Sequence, residues 1–148
     1  MKRWLVSLLT ILQLVFISSV WAAPQIPPKP QNNIYVQDYA KVLSSDTVKT
    51  ITNISQQLDA KTKAQIVVVT VPSLNSTPLE DYSLNLFRTW GIGDKNNNNG
   101  VLLLVAVNDR QSRIEVGYGL EGALPDGKTG LIQDQFMLPY FTSGNYDM

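Results

Sequence analysis

Residues 65–71 read Gln65-Ile66-Val67-Val68-Val69-Thr70-Val71, and residues 101–107 read Val101-Leu102-Leu103-Leu104-Val105-Ala106-Val107. Each is a short, nearly continuous apolar run rich in branched residues, the pattern of a strand covered on both faces. Pro72 closes the first run, and Asn108-Asp109-Arg110-Gln111 supplies turn chemistry after the second. Between them Leu79, Tyr82, Leu86 and Trp90 recur at helical spacing, and Gly91 suits a left-handed C-cap. Thr77-Pro78-Leu79-Glu80 predicts how that helix starts: Thr77 as N-cap, Pro78 at the first helical position, Glu80 completing a capping box.

Upstream, a helix is predicted after Leu43, with Ser44 as N-cap and Leu43 and Val48 as a hydrophobic staple. Its apolar face is Val48, Ile51, Ile54 or Ser55, and Leu58. Downstream, residues 112–118 predict a third strand, the antiparallel hairpin partner of the second. A last helix over roughly 127–138 carries Leu131, Ile132, Gln135 and Leu138 and is expected to stop at Pro139. No internal repeat is present. The pattern predicts an α/β fold, a three-layer α/β/α sandwich with a central mixed sheet.

With 148 residues, 44% hydrophobic and 16% charged, the chain can bury the core of one domain. Formal net charge is zero, which leaves no electrostatic footprint for nucleic acid. Cysteine is absent, which removes disulfides, thiolate metal sites and thiol nucleophiles. Histidine is absent too, which removes Ser-His-Asp hydrolases, histidine phosphatases and ordinary zinc enzymes.

Residues 1–22 read as a signal peptide. Lys2 and Arg3 precede an apolar stretch over 4–17, and Val20-Trp21-Ala22 fits the −3 to −1 positions of a cleavage site. That stretch, interrupted by Gln13, is short of the roughly 20 residues a membrane span requires. Cleavage after Ala22 removes Lys2 and Arg3 and leaves 10 basic against 12 acidic residues, a mature charge of −2. The mature protein is expected to be soluble, in the periplasm or secreted. Residues 23–33 hold Pro24, Pro27, Pro28 and Pro30 and read as an extended tether, with order expected to begin near Ile34.

Gly117-Tyr118-Gly119-Leu120-Glu121-Gly122 formally matches G-x-G-x-x-G after a strand. A dinucleotide site also needs a helix opening at the third glycine and an acid about 20 residues on. Pro125-Asp126-Gly127 delays the helix and Tyr140 stands near the acid's place, so a tight turn displaying Glu121 is the better reading. Residues 94–100, Asp94-Lys95-Asn96-Asn97-Asn98-Asn99-Gly100, begin like a calcium loop, but Asn99 and Val105 occupy the positions where an EF-hand has glycine and glutamate. The bland reading is a polar turn. Arg113, Glu115 and Gly117 share one face of their strand, and Ile114, Val116 and Tyr118 the other. Trp90 and Tyr118 read as core residues.

At this point the string resembles the TPM domain family. The matching segments are Tyr35-Val36-x-Asp38-Tyr39-Ala40-x-Val42-Leu43, residues 64–71, Phe87-x-x-Trp90-Gly91-Ile92-Gly93, residues 99–105, residues 113–122, and Leu138-Pro139-Tyr140-Phe141. Together they cover about residues 34–148, in order, which is expected to be the folded domain. The resemblance implies an exported or lumenal α/β/α domain that binds a divalent cation near the strand ends. For plant thylakoid-lumen relatives it implies acid phosphatase activity and a role in photosystem repair, and other relatives look like accessory proteins. By motif position, Asp38 is the acid of the entry motif, Asn99 and Gly100 fill the loop motif often written Asp-Asn-Gly, and Glu121 is the acid of the glycine-rich turn. Asn98 stands where many members have Asp. The resemblance also implies a closing helix after residues 144–147, which reads this chain as truncated at its C-terminal end.

One hard-cation site is therefore expected from Asp38, Asn99 and Glu121, with Asp126 beside them, taking Ca²⁺ or Mg²⁺ through oxygen ligands. In a hairpin joined at 108–111, Asn99 and Glu121 fall at the same open end of the sheet, and Asp38 is expected to reach that end along the sheet's edge. Two functions follow: an exported binding or accessory module for envelope or membrane proteins, and a metal-dependent phosphomonoesterase. The second needs a nucleophile or a metal-activated water, and without histidine, cysteine or an Asp-x-Asp segment only carboxylate-held metal with water remains.

Overall fold

Four strands make one sheet in the order β1-β2-β3-β4: β1 (Val36–Asp38), β2 (Gln65–Val71), β3 (Gly100–Ala106) and β4 (Gln111–Val116). The structure, a computed structural model, describes residues 25–141 and 143–146, so the signal-peptide expectation for 1–22 lies outside the described residues. Strands β1, β2 and β3 run parallel, with Asp38 level with Thr70 and Thr70 level with Val105. β4 returns antiparallel on β3, pairing Val116 with Val101 and Gln111 with Ala106. The mixed sheet and the hairpin expected from residues 101–118 are both present.

Side-chain alternation divides the two apolar runs between the faces of this sheet. Val67, Val69, Val71, Leu102, Leu104 and Ala106 are buried on one face against Tyr82, Leu86 and Trp90. Those three belong to α2 (Leu79–Trp90), whose buried stripe is the one its spacing predicts. On the other face Val68, Thr70, Leu103 and Val105 line one cavity with Leu43, just ahead of α1 (Ser45–Thr62), with Thr47 and Ile51 of that helix, and with Met137 and Phe141. Three layers result. Because both crossovers step the same way along the sheet while α1 and α2 lie on opposite faces, the two have opposite hand. One of them therefore departs from the right-handed rule, at a sheet whose β1 is only three residues long.

Local chemistry explains the helix ends. Ser44, in an extended conformation, accepts a hydrogen bond from the Thr47 amide and caps α1 as expected. Of the alternatives on its inner face, Ser55 is buried and Ile54 is 60% exposed. α2 begins one residue later than expected: Pro78 is its N-cap residue, with no side-chain cap, and its carbonyl accepts from the Tyr82 amide. Proline already holds φ near the helical value, so a capping hydroxyl at Thr77 is not needed to start the turn. Gly91, at φ +57°, closes α2 as its C-cap.

Three expectations are corrected. The final helical segment does not end at Pro139. It runs as α3 (Asp126–Ile132), a π turn (Gln133–Met137) and α4 (Leu138–Phe141), with Pro139 inside α4. The wider turn, in which the Leu138 amide donates to the Gln133 carbonyl, resets the ladder just before the residue that has no amide hydrogen. Second, order does not wait for Ile34. Ile26 packs against the main core, and the fully buried Trp90 donates its indole N–H to the Pro27 carbonyl over 2.9 Å. A buried indole donor needs an acceptor, and the proline-rich segment supplies one. Third, Tyr118 is not in the core; it is 78% exposed. The alternation that put it beside Ile114 and Val116 ends with β4 at Val116, and the chain turns at Gly117 into a single 3₁₀ turn (Tyr118–Leu120).

Candidate functional site

The open end of the β3–β4 hairpin is built by backbone. Asp94 opens the polar loop as an Asx turn, its Oδ1 accepting from the amides of Asn96 (3.0 Å) and Asn97 (2.9 Å). The Asn98 amide donates to the Asp94 carbonyl at 2.7 Å, and Asn98 sits at φ +47°, a left-handed conformation that asparagine tolerates well. Asn99 is buried and turned inward: its Oδ1 accepts from the Asp94 amide (2.9 Å) and its carbonyl from the Gln65 amide (3.1 Å). Gln65 completes the clasp by accepting from the Gly93 amide at 2.9 Å.

The glycine-rich turn lies directly on this loop. Gly117 donates to the Gly100 carbonyl (2.8 Å) and Gly119 to the Asn98 carbonyl (3.0 Å). A β-carbon at Gly117 would stand 2.2 Å from the Asn98 oxygen, and one at Gly119 would stand 1.9 Å from the Asn97 oxygen. These distances explain both glycines by close backbone approach, without a phosphate to cradle. The result is a fixed rim from which Tyr118 and Glu121 project into solvent.

Asn99 and the turn that carries Glu121 therefore meet at one end of the sheet, as the hairpin geometry requires. Asp126 follows at the first residue of α3, exposed. Asp38 does not join them. It stands level with Val105, six residues along the strands from Asn99, which is roughly 20 Å at the rise of an extended chain. Its carboxylate is occupied there: Oδ1 accepts from the Val42 amide (3.2 Å), Oδ2 from the Leu43 amide (2.9 Å), and Thr70 donates its hydroxyl to Oδ1. Thr70 Oγ1 in turn accepts from the Ala40 amide. Asp38 ties the loop ahead of α1 to β2. Asp38, Asn99, Glu121 and Asp126 thus do not form one four-residue cation site, and among the described residues no three acidic side chains gather closely enough to hold a metal ion.

Beside Asp38, the face of the sheet under α1 holds an apolar cavity of about 130 Å³, lined among others by Leu43, Ile51, Val68, Leu103 and Met137. Burial raises the phenol of Tyr39 above its ordinary value, and it does the same to Tyr82, with the nearby Tyr39 adding to the effect. On the opposite face, the strip Arg113–Glu115 is not an open surface. The Ser83 hydroxyl lies 2.6 Å from Glu115 Oε1 and 3.1 Å from the Glu80 carbonyl, and Arg113 Nε donates to the same carboxylate oxygen at 2.5 Å.

Sequence reasoning missed the exposure of Tyr118 and the part played by Gln65. The signal for Tyr118 was the glycine on each side of it, since a strand that must pack rarely carries two residues without side chains to pack. Gln65 carried no such mark, because its role depends on β2 and the polar loop coming together.

A sequence model of one family, described as the TPM domain, matches residues 36–148. Among solved structures, the N-terminal domain of a protein from P. gingivalis is 41% identical with a TM-score of 0.71, the match covering 77% of this chain and 73% of that one. The N-terminal domain of the cg2496 protein from Corynebacterium glutamicum is 18% identical, with a TM-score of 0.58 and coverage of 80% and 75%, a likeness of fold. No curated protein matches.

Proposed function

The chain belongs to the TPM domain family, and we propose that it is an exported domain that serves envelope proteins as a binding or accessory module, with the glycine-clamped rim as its recognition surface. The observation that supports this reading is Tyr118, 78% exposed on a turn whose backbone is pinned to the polar loop. A large amphipathic ring held out on a rigid base costs little entropy to bind, which is why tyrosine recurs in recognition surfaces. Glu121 on the same turn adds a charge that orients a partner. Export rests on the leader over 1–22 and places the partner in the periplasm or outside the cell. No described helix is long and apolar enough to cross a membrane.

A divalent cation, Ca²⁺ or Mg²⁺, belongs to this proposal only at the rim. Glu121, with Asp126 at the next helix start, would supply its carboxylate oxygens; Asp38 is too distant, and the Asn99 side-chain oxygen is already taken by the Asp94 amide.

The phosphomonoesterase reading calls for a nucleophile or a water held against phosphate by several convergent groups. The acids it would draw on are divided between the two ends of the sheet. The test is aryl-phosphate hydrolysis by purified residues 23–148 with added Mg²⁺ or Ca²⁺, beside Glu121→Gln. The module reading expects no turnover that the substitution removes, and turnover lost with Glu121 would replace it with the enzyme.

A further inference from the structure

We infer that the outer edge of β4 is a self-association surface, on which a second copy of this chain pairs antiparallel to join the two sheets. β4 is an end strand of the sheet. Its register on β3 is unbroken from Val101↔Val116 to Ala106↔Gln111, with no bulge, and it contains neither lysine nor proline. The Gly117 amide bonds inward to Gly100, which fixes the phase: Gln111, Arg113 and Glu115 bond inward to β3, and Ser112, Ile114 and Val116 turn their N–H and C=O groups outward. Among the described residues no hydrogen bond uses those outward groups. A straight edge of this kind, broken by neither bulge nor proline and charged only on the α2 face, is a template for another strand.

The sequence of β4 selects its own copy as that strand. A two-fold axis at Ile114 places Ser112 opposite the second copy's Val116 and Ile114 opposite the second copy's Ile114. Each such pair exchanges two backbone hydrogen bonds. The same axis sets Arg113 directly across from the second copy's Glu115, on the face that carries α2, and Glu115 across from the second copy's Arg113. Opposite charges in directly facing positions are favourable, and like charges are not. Moving the axis to residue 113 or 115 faces arginine with arginine or glutamate with glutamate, so the charges specify the register. Arg113 is 38% exposed at its side chain; its Nε stays on its own Glu115 at 2.5 Å, while its Nη1, 3.6 Å from Glu80, can turn toward the second copy's Glu115. The product is a closed, isologous dimer with one continuous sheet of eight strands. The rim at Tyr118 follows the end of β4, so pairing would place two recognition surfaces on one particle.

Sedimentation equilibrium of residues 23–148, which contain every described residue, tests this. The expected result is a concentration-dependent dimer. Ser112→Pro, which removes an outward donor and leaves the β3 ladder untouched, should weaken it by at least about tenfold. Arg113→Glu and Glu115→Arg should each weaken self-association, and mixing the two variants should restore it as a heterodimer, since each then faces its opposite charge. A chain that stays monomeric to about 1 mM, the range of very weak association, overturns the inference even if the edge takes up an unrelated peptide. So does a dimer whose constant is unchanged in a Ser112→Pro variant that melts like the parent. If Ser112→Pro does not fold, the charge variants decide: a mixture that associates no better than its components overturns the inference.

Discussion

Gly119 donates its amide to the carbonyl of Asn98 over 3.0 Å, so the glycine-rich turn and the asparagine loop are held together by their main chains. Side chains are excluded from this contact by distance. A β-carbon on Gly119 would lie 1.9 Å from the Asn97 oxygen, whereas one on Gly122, three residues on, would meet nothing within 4 Å. The motif is thus read by geometry, one glycine at a time.

Gly119→Ala should therefore destabilise the domain by about 1–3 kcal/mol, the usual cost of forcing extra volume into a packed contact. Gly122→Ala should change stability by no more than about 0.5 kcal/mol. Urea midpoints of the two variants check the contrast, and equal midpoints would show that the turn and loop separate easily.

The proline-rich segment contributes to folding through Trp90 and Ile26. Deleting residues 23–30 should leave the buried indole without its acceptor and uncover core surface, lowering the melting temperature by about 4 °C or more. A shift below one degree would restore the reading of a passive tether.

Much of the fold was legible because its deciding elements are strongly patterned. The two apolar runs, the Tyr82–Leu86–Trp90 stripe and the Ser44 cap each declare themselves locally, and the structure keeps them. What was not legible depended on partners distant in sequence. Nothing near Asp38 says that its carboxylate would be taken by two amides and the Thr70 hydroxyl, at the end of the sheet away from Asn99. Pro139 reads as a helix stop, and only the π turn ahead of it lets the helix continue.

Asp38 should accordingly act on stability. Asp38→Ala removes an acceptor for two backbone amides and should cost about 2–3 kcal/mol, in the range of hydrogen bonds to a charged group. The loss should be the same with and without Ca²⁺ in thermal melts. A loss that appears only with Ca²⁺ present would return Asp38 to a cation site.

Stability should fall in alkali. Tyr35 donates its hydroxyl to Asp59 Oδ2 at 2.8 Å, and this bond to a carboxylate is the main reason its pKa is raised above the ordinary value of 10.0, with burial next. A group whose pKa is higher folded than unfolded contributes fully below the unfolded value and loses that contribution as pH rises through the folded one. Unfolding free energy measured from pH 9 upward should therefore decline above pH 10, and Tyr35→Phe should flatten part of that decline. An unaltered slope in the variant would mean that the Tyr35–Asp59 bond does not persist in solution.

On the function proposed above, the rim carrying Tyr118 and Glu121 is where this domain meets its partner. The most direct test of this is a photo-reactive phenylalanine placed at position 118 in the exporting cell, beside the same group at Lys49, an exposed position on α1. Discrete cross-links to an envelope protein are expected from position 118, reduced by Glu121→Gln and absent from position 49. Cross-links of equal yield from both positions, or none from position 118, would contradict that function.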